Sequence, residues 1–475
     1  MNVLFVVWEL DPFLKLGGLG DTARSFPGAM KNLGVDIRIV LPYYSVVKMG
    51  NNVKTLKGKF PITYAGKKEH VEIWETVHPD THLPVYFIKN TTYLATIVKI
   101  ETWAFFNKAV VAMLEQNILQ WHPDILHLND HHCGLIPLLV KQAQLPIKTV
   151  ITIHNLYHQG HASFATIGNV GLDPTVCTPI LWEIPSKQIN FLLEGIIHSD
   201  IITTVSPSYA KEIMTEEFGC GLNEYLKGLE GRVFGILNGI DVNWRSTLHD
   251  LNVKYPFGLI ENENQKKQRY LNWKEGKEKN KRYLQKQLGL KVSSDIPLFC
   301  FIGRLDSKQK GLEILHTMLR RINQEKIEFV ILGTGEKPWE ERIQWLATFY
   351  PKHISCNFMF DEALAHQIYA ASDFIIIPSR FEPCGLIQMI AMLFGTIPIA
   401  YKTGGLKDSI QDGKTGFLFD RYNSVALERT VTKAIELRRD HKDKFEQMTK
   451  NAMLKDFSWK KSAQKYLSLY KQLLL

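Results

Sequence analysis

Glu382 is the residue with the clearest chemical potential in this chain. It lies in the segment P-S-R-F-E-P-C-G-L at 378–386, and a second glycine turn, T-G-G-L, follows at 403–406. Chemistry in open α/β sheets collects just past the carboxyl ends of parallel strands, and the apolar run F-I-I-I at 374–377 has the pattern of such a strand. From these residues alone, a catalytic carboxylate and a helix cap remain equally open.

Basic residues beside glycines suggest a second kind of chemistry, the binding of a diphosphate. Lys15 opens the loop K-L-G-G-L-G-D, where consecutive glycines and a helix N-terminus let backbone N–H groups approach an anion. In the second half, F-I-G-R-L-D-S-K-Q-K-G places Arg304 and Lys310 after another apolar stretch. A plain turn and surface salt bridges are the alternatives, but the recurrence in both halves favours a pyrophosphate.

Histidines follow two further apolar stretches. H-L-N-D-H-H at 127–132 contains metal-binding residue types, but they lie on one loop without the spread of spacings that zinc sites show. We therefore predict no metal, and we interpret Asp130 and His132 as groups that contact a sugar. His154, in T-I-H-N-L, can donate to a sugar hydroxyl or orient a backbone carbonyl, and a core histidine is the alternative.

These loops require strands to position them. Apolar runs predict first-half strands at 3–7, 35–42, 124–128, 148–153 and 201–205, and helices at 133–144 and 207–217. Second-half strands are predicted at 297–302, 329–332, 374–377 and 396–400, with helices at 311–324, 362–371 and 424–438 and one at Glu382. Such alternation predicts parallel sheets covered on both faces, with the candidate residues at the carboxyl ends of the strands.

Bulk properties indicate an ordinary globular protein with more than one domain. A chain of 475 residues is too long for one hydrophobic core, and its formal net charge of +9 suits an anionic ligand. The basic run at 266–286 is interpreted as a solvated helix face, because no nucleic-acid-binding motif accompanies it. Six scattered cysteines without a C-x-x-C pair predict reduced thiols and a cytosolic protein.

Two further classes are disfavoured. The N-terminal M-N-V-L-F-V-V-W-E-L lacks a basic region and is too short an apolar run for a signal peptide or a membrane span. Neither glycine loop is the dinucleotide fingerprint G-x-G-x-x-G with an acidic residue about 20 positions further on. A membrane protein and a nicotinamide-dependent enzyme are therefore not expected.

Eight sequence blocks occur in the order found in bacterial glycogen synthases and plant starch synthases. Besides the loops quoted above, they include P-D-I-L-H-L-N-D-H-H, T-V-S-P-S-Y-A-K-E-I, I-L-N-G-I-D and T-G-G-L-K-D-S-I. Each block alone could occur in an unrelated α/β enzyme, whereas eight in order over nearly the whole chain are specific. The sequence therefore resembles this family.

The resemblance implies an α/β fold of two Rossmann-like domains whose parallel sheets face a deep interdomain cleft, the GT-B architecture. Residues 1–241 would form the N-terminal, acceptor-side and catalytic domain, and 242–263 a linker. Residues 264–456 would form the domain that binds the nucleotide sugar. The closing segment 457–475 would be a helix that packs back across the interdomain seam.

The implied reaction transfers glucose from ADP-glucose to the non-reducing end of an α-1,4-glucan with retention, in the cytoplasm or in a plastid of a plant-like source. It requires no metal or other cofactor. The resemblance places Glu382 by the donor sugar. The catalytic residues would be Asp130, His154, Arg304, Lys310 and Glu382. The donor-binding residues would be Lys15, Gly17, Gly18, Asp21, Cys384, Gly385, Leu386, Thr403, Gly404 and Gly405.

The sequence also departs from the family pattern. Asn129 and His131 stand where the usual H-D-W-H has histidine and tryptophan, Glu194 stands where lysine is general, and Ile387 replaces a common threonine. Two other hypotheses remain: a transferase that uses UDP-glucose or another nucleotide sugar, and a non-catalytic glucan-binding homologue. The intact set of acidic, basic and histidine residues listed above argues against the second.

Overall fold

The computed structural model describes residues 1–49, 54–97, 99–179, 188–241, 244, 247–259, 271–322 and 326–475. Contacts divide the chain into two compact units, one made of Met1–Asp241 with Ser458–Leu475 and the other of Val242–Phe457. The second unit therefore includes the stretch interpreted above as a linker, of which positions 242, 243, 245, 246 and 260–263 lie outside the described residues.

The first unit contains a nine-stranded sheet in the order β11-β10-β7-β6-β1-β2-β5-β4-β3. Its strands are β1 (Asn2–Val6), β2 (Asp36–Pro42), β3 (Thr55–Tyr64), β4 (Lys67–Val77), β5 (Pro84–Lys89), β6 (Ile125–Asn129), β7 (Lys148–Ile153), β10 (Ile201–Thr204) and β11 (Val233–Gly235). All neighbours pair in parallel except β5–β4 and β4–β3, which are antiparallel. A separate short antiparallel pair joins β8 (His161–Ser163) to β9 (Gln188–Asn190).

Helices connect these strands. They are α1 (Gly18–Lys31), α2 (Ile100–Glu115), α3 (Ile136–Gln142), α4 (Phe164–Val170), α5 (Phe191–His198), α6 (Pro207–Glu212) and α7 (Asn223–Gly228). Short 3-10 helices lie at His131–Cys133, Pro174–Val176 and Glu230–Arg232. The helix predicted at 133–144 is therefore shorter than expected, because a 3-10 turn precedes α3.

The second unit contains a six-stranded, fully parallel sheet in the order β16-β15-β14-β17-β18-β19. Its strands are β14 (Leu298–Ile302), β15 (Glu328–Leu332), β16 (Ile354–Asn357), β17 (Phe374–Ile377), β18 (Ile397–Tyr401) and β19 (Phe417–Phe419), and a short parallel pair joins β12 (Phe257–Gly258) to β13 (Leu271–Asn272). The helices are α8 (Trp273–Gln287), α9 (Leu312–Arg321), α10 (Lys337–Phe349), α11 (Glu362–Ala371), α12 (Ile387–Leu393), α13 (Gly404–Ser409), α14 (Ser424–Asp440) and α15 (Lys442–Met453).

Both sheets have the strand order of a Rossmann fold. Counted along the chain, the sheet of the second unit reads 3-2-1-4-5-6, and the parallel part of the first reads the same with one added strand. The order reverses between β1 and β6 in the first unit and between β14 and β17 in the second, so each sheet has its own switch point, formed by the loops after those two strands. The predicted fold class of two Rossmann-like domains is confirmed.

The last helix, α16 (Trp459–Leu474), belongs to the first unit. Its amphipathic face buries Trp459, Tyr466 and Tyr470, and the ring of Tyr466 lies 4.7 Å from that of Phe26 on α1. Tyr470 also hydrogen-bonds His127 of β6, which makes that histidine a core residue. The buried residues recur at three- and four-residue spacing, which places them on one face of this helix and explains how it packs.

The basic run beginning at Lys266 was expected to be a solvated helix face, and for two of its lysines this is wrong. Residues 266–270 lie outside the described part, but Lys277 and Lys281 on α8 are buried. The Lys277 ammonium donates to Phe394 O and Thr396 Oγ1, each at 2.9 Å, and Lys281 pairs with Asp373 at 2.8 Å. Both lysines lie on the buried face of the helix, where fixed acceptors receive their charged ends.

Candidate active site

The glycine loop after β1 is organised by a buried carboxylate that sequence analysis did not identify. Glu9 accepts hydrogen bonds from the N–H groups of Leu16 at 2.6 Å, Gly17 at 3.0 Å and Gly20 at 3.1 Å. Burial raises the pKa of Glu9, although these three N–H groups oppose the shift. The backbone donors expected to face a phosphate therefore face Glu9 at two loop positions and at the start of α1.

Lys15 lies at the entrance of the same loop. Its ammonium is 2.7 Å from Asp21 Oδ1 on the first turn of α1, and the two side chains are 24% and 20% exposed. Burial raises the pKa of Asp21, and the nearby Lys15 charge opposes that shift. The structure thus brings together two of the predicted donor-binding residues, beside the exposed backbone of Gly17 and Gly18.

Asp130 follows β6 in a strained backbone conformation. Its φ of 56° and ψ of −171° lie in a region that is essentially restricted to glycine, and residues held there cluster at functional sites. Asp130 Oδ1 accepts from the His154 backbone N–H at 2.7 Å, so the ends of β6 and β7 are joined directly. Burial raises the pKa of the Asp130 carboxyl to about 7, opposed by backbone hydrogen bonds from His154 and Asn155.

His154 is half-buried at the carboxyl end of β7, and its loss of hydration lowers its pKa to about 3. Its Nε2 lies 2.9 Å from Oδ1 of Asn129, whose Nδ2 donates to Val6 O at 2.9 Å. Asn129, one of the departures from the family pattern, therefore contacts a predicted catalytic residue. The structure brings Asp130, His154 and Asn129 into one hydrogen-bonded group.

Two neighbouring histidines form a buried aromatic cluster. His132 stacks on Trp8 with ring centroids 4.6 Å apart and meets Trp103 edge-on at 4.4 Å, and His131 lies 3.8 Å from His132. Burial lowers the pKa of His131 to about 4 and that of His132 well below its usual range. His131 thus occupies aromatic surroundings at a position where the family has tryptophan.

In the second unit, the central contact joins Lys310 to Glu382. Lys310 Nζ lies 2.7 Å from Glu382 Oε2, and the side chains are only 15% and 9% exposed. Glu382 does not cap a helix, because the next helix begins at Ile387 with Leu386 as its N-cap. The alternative role left open by the sequence is therefore wrong, and the helix predicted at Glu382 begins five residues later.

The glycine-containing segments 378–386 and 403–406 of the second unit are in direct contact. The Gly405 N–H donates to Glu382 O at 2.9 Å, and a Cβ at Gly405 would lie 2.1 Å from Cys384 O. Gly385 has a φ of +68° and a Cβ there would meet the Gln388 side chain at 2.5 Å. Only glycine fits either position, which explains why both motifs contain it. Thr403 and Gly404 open α13 beside this contact.

Gln388 holds the loop from the other side and was not predicted. Its Nε2 donates to Cys384 O at 3.0 Å, Gly385 O at 2.7 Å and Ser409 Oγ at 3.0 Å. Its complete burial is visible only in the structure, and the sequence shows no more than a glutamine one residue after Ile387. Because three partners fix this side chain, the backbone of 384–386 is preorganised before any ligand binds.

Arg304 differs from Lys310 in its surroundings. Its side chain is 63% exposed, with Gln309 Oε1 at 3.3 Å and Asp306 at 3.8 Å. Gln309 is buried and donates to Phe381 O at 3.3 Å, so it links the Arg304 loop to the Glu382 segment. The two cations follow β14, but only Lys310 directly contacts Glu382.

Glu194, where the family generally has lysine, is fully buried on α5. Its Oε1 accepts from the Thr178 N–H at 2.6 Å, and its Oε2 lies 3.2 Å from His198 Nε2. The carboxylate fixes the loop around Thr178, and residues 180–187, which follow that loop, lie outside the described part. The structure assigns it no contact with Asp130 or His154 among the bonds of described residues.

Across the described ranges, no three histidine, cysteine, aspartate or glutamate side chains are grouped so that they could hold a metal ion. Within the same ranges, no helix is long and apolar enough to cross a membrane.

Two family models match the chain, one in each of its two compact units. Residues 2–228 match the starch synthase catalytic domain, and residues 284–454 match the glycosyl transferases group 1 family. Among curated relatives, the glycogen synthase of Streptococcus pneumoniae strain JJA is 38% identical over the full length of both proteins. The glycogen synthase of strain Hungary19A-6 is 37% identical, again over the full length of both.

Solved structures of glycosyltransferases have the same fold as this chain. The catalytic domain of starch synthase IV from Arabidopsis thaliana, bound to ADP and acarbose, superposes with a TM-score of 0.88 at 31% identity, covering 100% of this chain and 99% of that one. Sucrose-phosphate synthase from Thermosynechococcus elongatus shares the fold, with a TM-score of 0.62 at 18% identity and coverage of 99% and 98%. The resemblance noted in the sequence is confirmed: the chain belongs to the bacterial glycogen synthase and plant starch synthase family and is a glycosyltransferase of glycogen or starch synthesis.

Proposed function

We propose that this chain transfers glucose from ADP-glucose to the non-reducing end of an α-1,4-glucan with retention of configuration. Support for the adenine nucleotide comes from the starch synthase IV structure, which was bound to ADP and acarbose and is 31% identical to this chain. Support for a glucan acceptor comes from the full-length relatives named glycogen synthase.

The observation that carries the proposal is the Lys310–Glu382 contact after β14 and β17. A cation and a carboxylate held 2.7 Å apart, with little exposure, form a preset pair at the switch point of a Rossmann sheet. A departing nucleoside diphosphate develops negative charge, which a fixed ammonium stabilises without reorganisation. Glu382 is then a polar contact for the donor glucose, and Arg304 adds a second, more exposed cation for the diphosphate.

In the first unit, Asp130 and His154 are proposed as the polar contacts of glucose at the reaction centre. Backbone strain at Asp130 and its 2.7 Å bond to His154 hold both residues in fixed positions. Such preorganisation matters because a displacement of about 1 Å can cost about 10²-fold in rate. Lys15 is proposed to contact the donor phosphates, held in place by Asp21 and beside the backbone of Gly17 and Gly18.

Retention is proposed to proceed without a nucleophile from the protein. In this scheme the acceptor hydroxyl attacks C1 on the face from which the phosphate departs, the glycosidic C–O bond to phosphate breaks, and the phosphate takes the hydroxyl proton. Lys310 and Arg304 neutralise the leaving diphosphate, so no metal ion is needed. We therefore expect EDTA to leave the transfer rate unchanged.

Radiolabel incorporation into glucan tests the proposal. Purified chain is incubated with glycogen primer and either ADP-[14C]glucose or UDP-[14C]glucose, and the anomeric proton signals of the product identify its linkages. The expected result is α-1,4 extension with ADP-glucose at a rate well above that with UDP-glucose. Preference for UDP-glucose would overturn the choice of nucleotide, and no extension with any nucleotide sugar would overturn the catalytic function.

A further inference from the structure

Asn129, the last residue of β6, has a side-chain amide of fixed orientation. It is fully buried, and its Nδ2 donates to Val6 O on the neighbouring strand at 2.9 Å. A carbonyl oxygen only accepts hydrogen bonds, so the amide NH2 must face Val6. Oδ1 therefore faces the other way, towards His154 Nε2 at 2.9 Å.

This orientation determines which nitrogen of His154 carries a hydrogen. Oδ1 of an amide can only accept, so Nε2 must donate. Because desolvation lowers the pKa of His154 to about 3, the ring is neutral near physiological pH and carries only that one hydrogen. Nδ1 is then a bare acceptor, and it has no hydrogen-bond partner within the part of the chain that the structure describes.

We propose that Asn129 is a positioning residue that holds His154 in its Nε2–H tautomer, so that Nδ1 accepts a hydrogen bond from a hydroxyl of the bound sugar. The role of the sugar rests on the proposed function, whereas the tautomer does not. An imidazole at position 129 can offer either a donor or an acceptor, whereas the buried amide permits one arrangement only. Asn129 therefore converts His154 from a group of either polarity into a dedicated acceptor.

The surroundings of His154 contain few charges that could oppose this state. The Asp130 carboxyl is engaged by the His154 backbone N–H, and Glu9 lies further along the same edge of the sheet. His127 of β6 and His132 of the 3-10 turn are the neighbouring titratable rings, and burial keeps both neutral by lowering their pKa values. Neither ring supplies a charge that would drive a second proton onto His154.

Long-range 1H–15N NMR of imidazole-labelled protein tests the tautomer without reference to activity. A His154→Gln variant assigns the resonances, since only one imidazole disappears. In the wild type we expect a bare Nδ1 and a protonated Nε2 from about pH 5 to about pH 8. A protonated Nδ1 in the wild type, or titration of the ring within that range, would overturn the proposal whatever the variants do.

Asn129→Asp is the informative substitution, because it keeps the shape but places a carboxylate beside Nε2. The carboxylate favours the imidazolium, so Nδ1 becomes a donor. We expect a signal from protonated Nδ1 and a kcat about tenfold or more below that of the wild type, with the loss diminishing as pH rises and the imidazolium deprotonates. An unchanged tautomer and an unchanged pH profile in a folded Asn129→Asp variant would refute the role of Asn129.

Asn190→Asp is the matched control. Asn190 is also fully buried, and its side chain bonds Gln159 and the Leu193 N–H at the start of α5. Asn190→Asp measures the effect of burying a new carboxylate away from His154. It should leave the His154 resonances and the pH dependence of kcat unchanged. The two readouts separate the proposals: absence of transfer with every nucleotide sugar would overturn the proposed function, while the NMR result alone decides the tautomer.

Discussion

Replacing Lys310 and Glu382 singly and together separates the contribution of their ion pair to catalysis from its contribution to folding. The side chains are 15% and 9% exposed and lie 2.7 Å apart. Removing one partner of a buried pair leaves an uncompensated charge and costs about 3–5 kcal/mol, whereas replacing both is often neutral. With some solvent access here, we expect about 3 kcal/mol for Lys310→Met and for Glu382→Gln.

That magnitude is large enough to measure. For a folding unit of this size, 1 kcal/mol shifts the melting temperature by about 2–4 °C, so each single variant should melt roughly 6–12 °C below the wild type. The double variant Lys310→Met/Glu382→Gln should melt near the wild type, because no unpaired charge remains.

Activity should not recover with stability in the double variant. Removing one preset electrostatic group at a developing charge costs about 10²–10³-fold in kcat, and groups that act as a unit are not additive. Each single variant should therefore lose that factor of glucan incorporation, measured well below its melting temperature, and the double variant should stay as inactive as the worse single one. Recovered stability without recovered activity identifies a catalytic pair.

The Lys281–Asp373 pair provides the control, because it is buried in the same unit at 2.8 Å with side chains 4% and 13% exposed. Because Asp373 keeps a second ion pair with Arg438 at 3.0 Å, Lys281→Met should lower the melting temperature by less than the Lys310 and Glu382 variants do and leave kcat unchanged in the folded protein. The reasoning would be refuted if the double Lys310/Glu382 variant regained activity, or if both single variants kept kcat within about threefold of the wild type.

Three further predictions concern buried ionisable groups. The pKa of Asp130 is raised from 3.8 in the unfolded chain to about 7 in the folded protein, so the folded state binds this proton more tightly. The wild type therefore loses stability as pH rises from about 4 to about 7. The melting temperature of Asp130→Asn should accordingly rise relative to that of the wild type over the same pH range. The pKa of Lys277 is lowered from 10.5 to about 7 in the folded protein, so the unfolded state binds this proton more tightly. The folded wild type should therefore gain stability as pH rises from about 7 to about 10. Calorimetry of the wild type and Lys277→Met over this pH range measures that gain. Glu9→Gln replaces one accepting oxygen by an NH2 group that faces backbone donors. Denaturant unfolding should show a decrease of about 1–3 kcal/mol in the free energy of unfolding. An unchanged denaturation midpoint would count against the contacts of Glu9 described above.

The strands that position the site could be predicted because they are buried on both faces. Phe374–Ile377 is a wholly apolar run with three β-branched isoleucines, and the loops after such strands necessarily gather at one edge of a parallel sheet. The hairpin of β3 and β4 was missed because its residues alternate between buried and exposed and carry many charges. It extends the antiparallel edge of the sheet and positions none of the candidate residues.

Side-chain partners were less accessible to sequence analysis, because they depend on contacts between distant positions. Lys310 and Glu382 are 72 residues apart, and only the pairing of β14 with β17 brings them together. Lys277 and Lys281 have ordinary helical spacing, so their burial follows from which face of α8 packs on α11 and not from residue type. In both cases the residue types were visible and the partners were not.

Glu9 changes how the glycine loop must be understood. A carboxylate and a phosphate compete for the same N–H donors, and Glu9 holds those of Leu16, Gly17 and Gly20. The loop therefore resembles an anion site that is already filled from within, since three N–H bonds stabilise the Glu9 carboxylate where an external anion would otherwise bind. The positive charge that this loop offers to a diphosphate is therefore that of the Lys15 ammonium, which lies 2.7 Å from Asp21 Oδ1 and is oriented by it. The glycines serve first to let the backbone close around Glu9, and by doing so they fix the start of α1 and the position of Lys15.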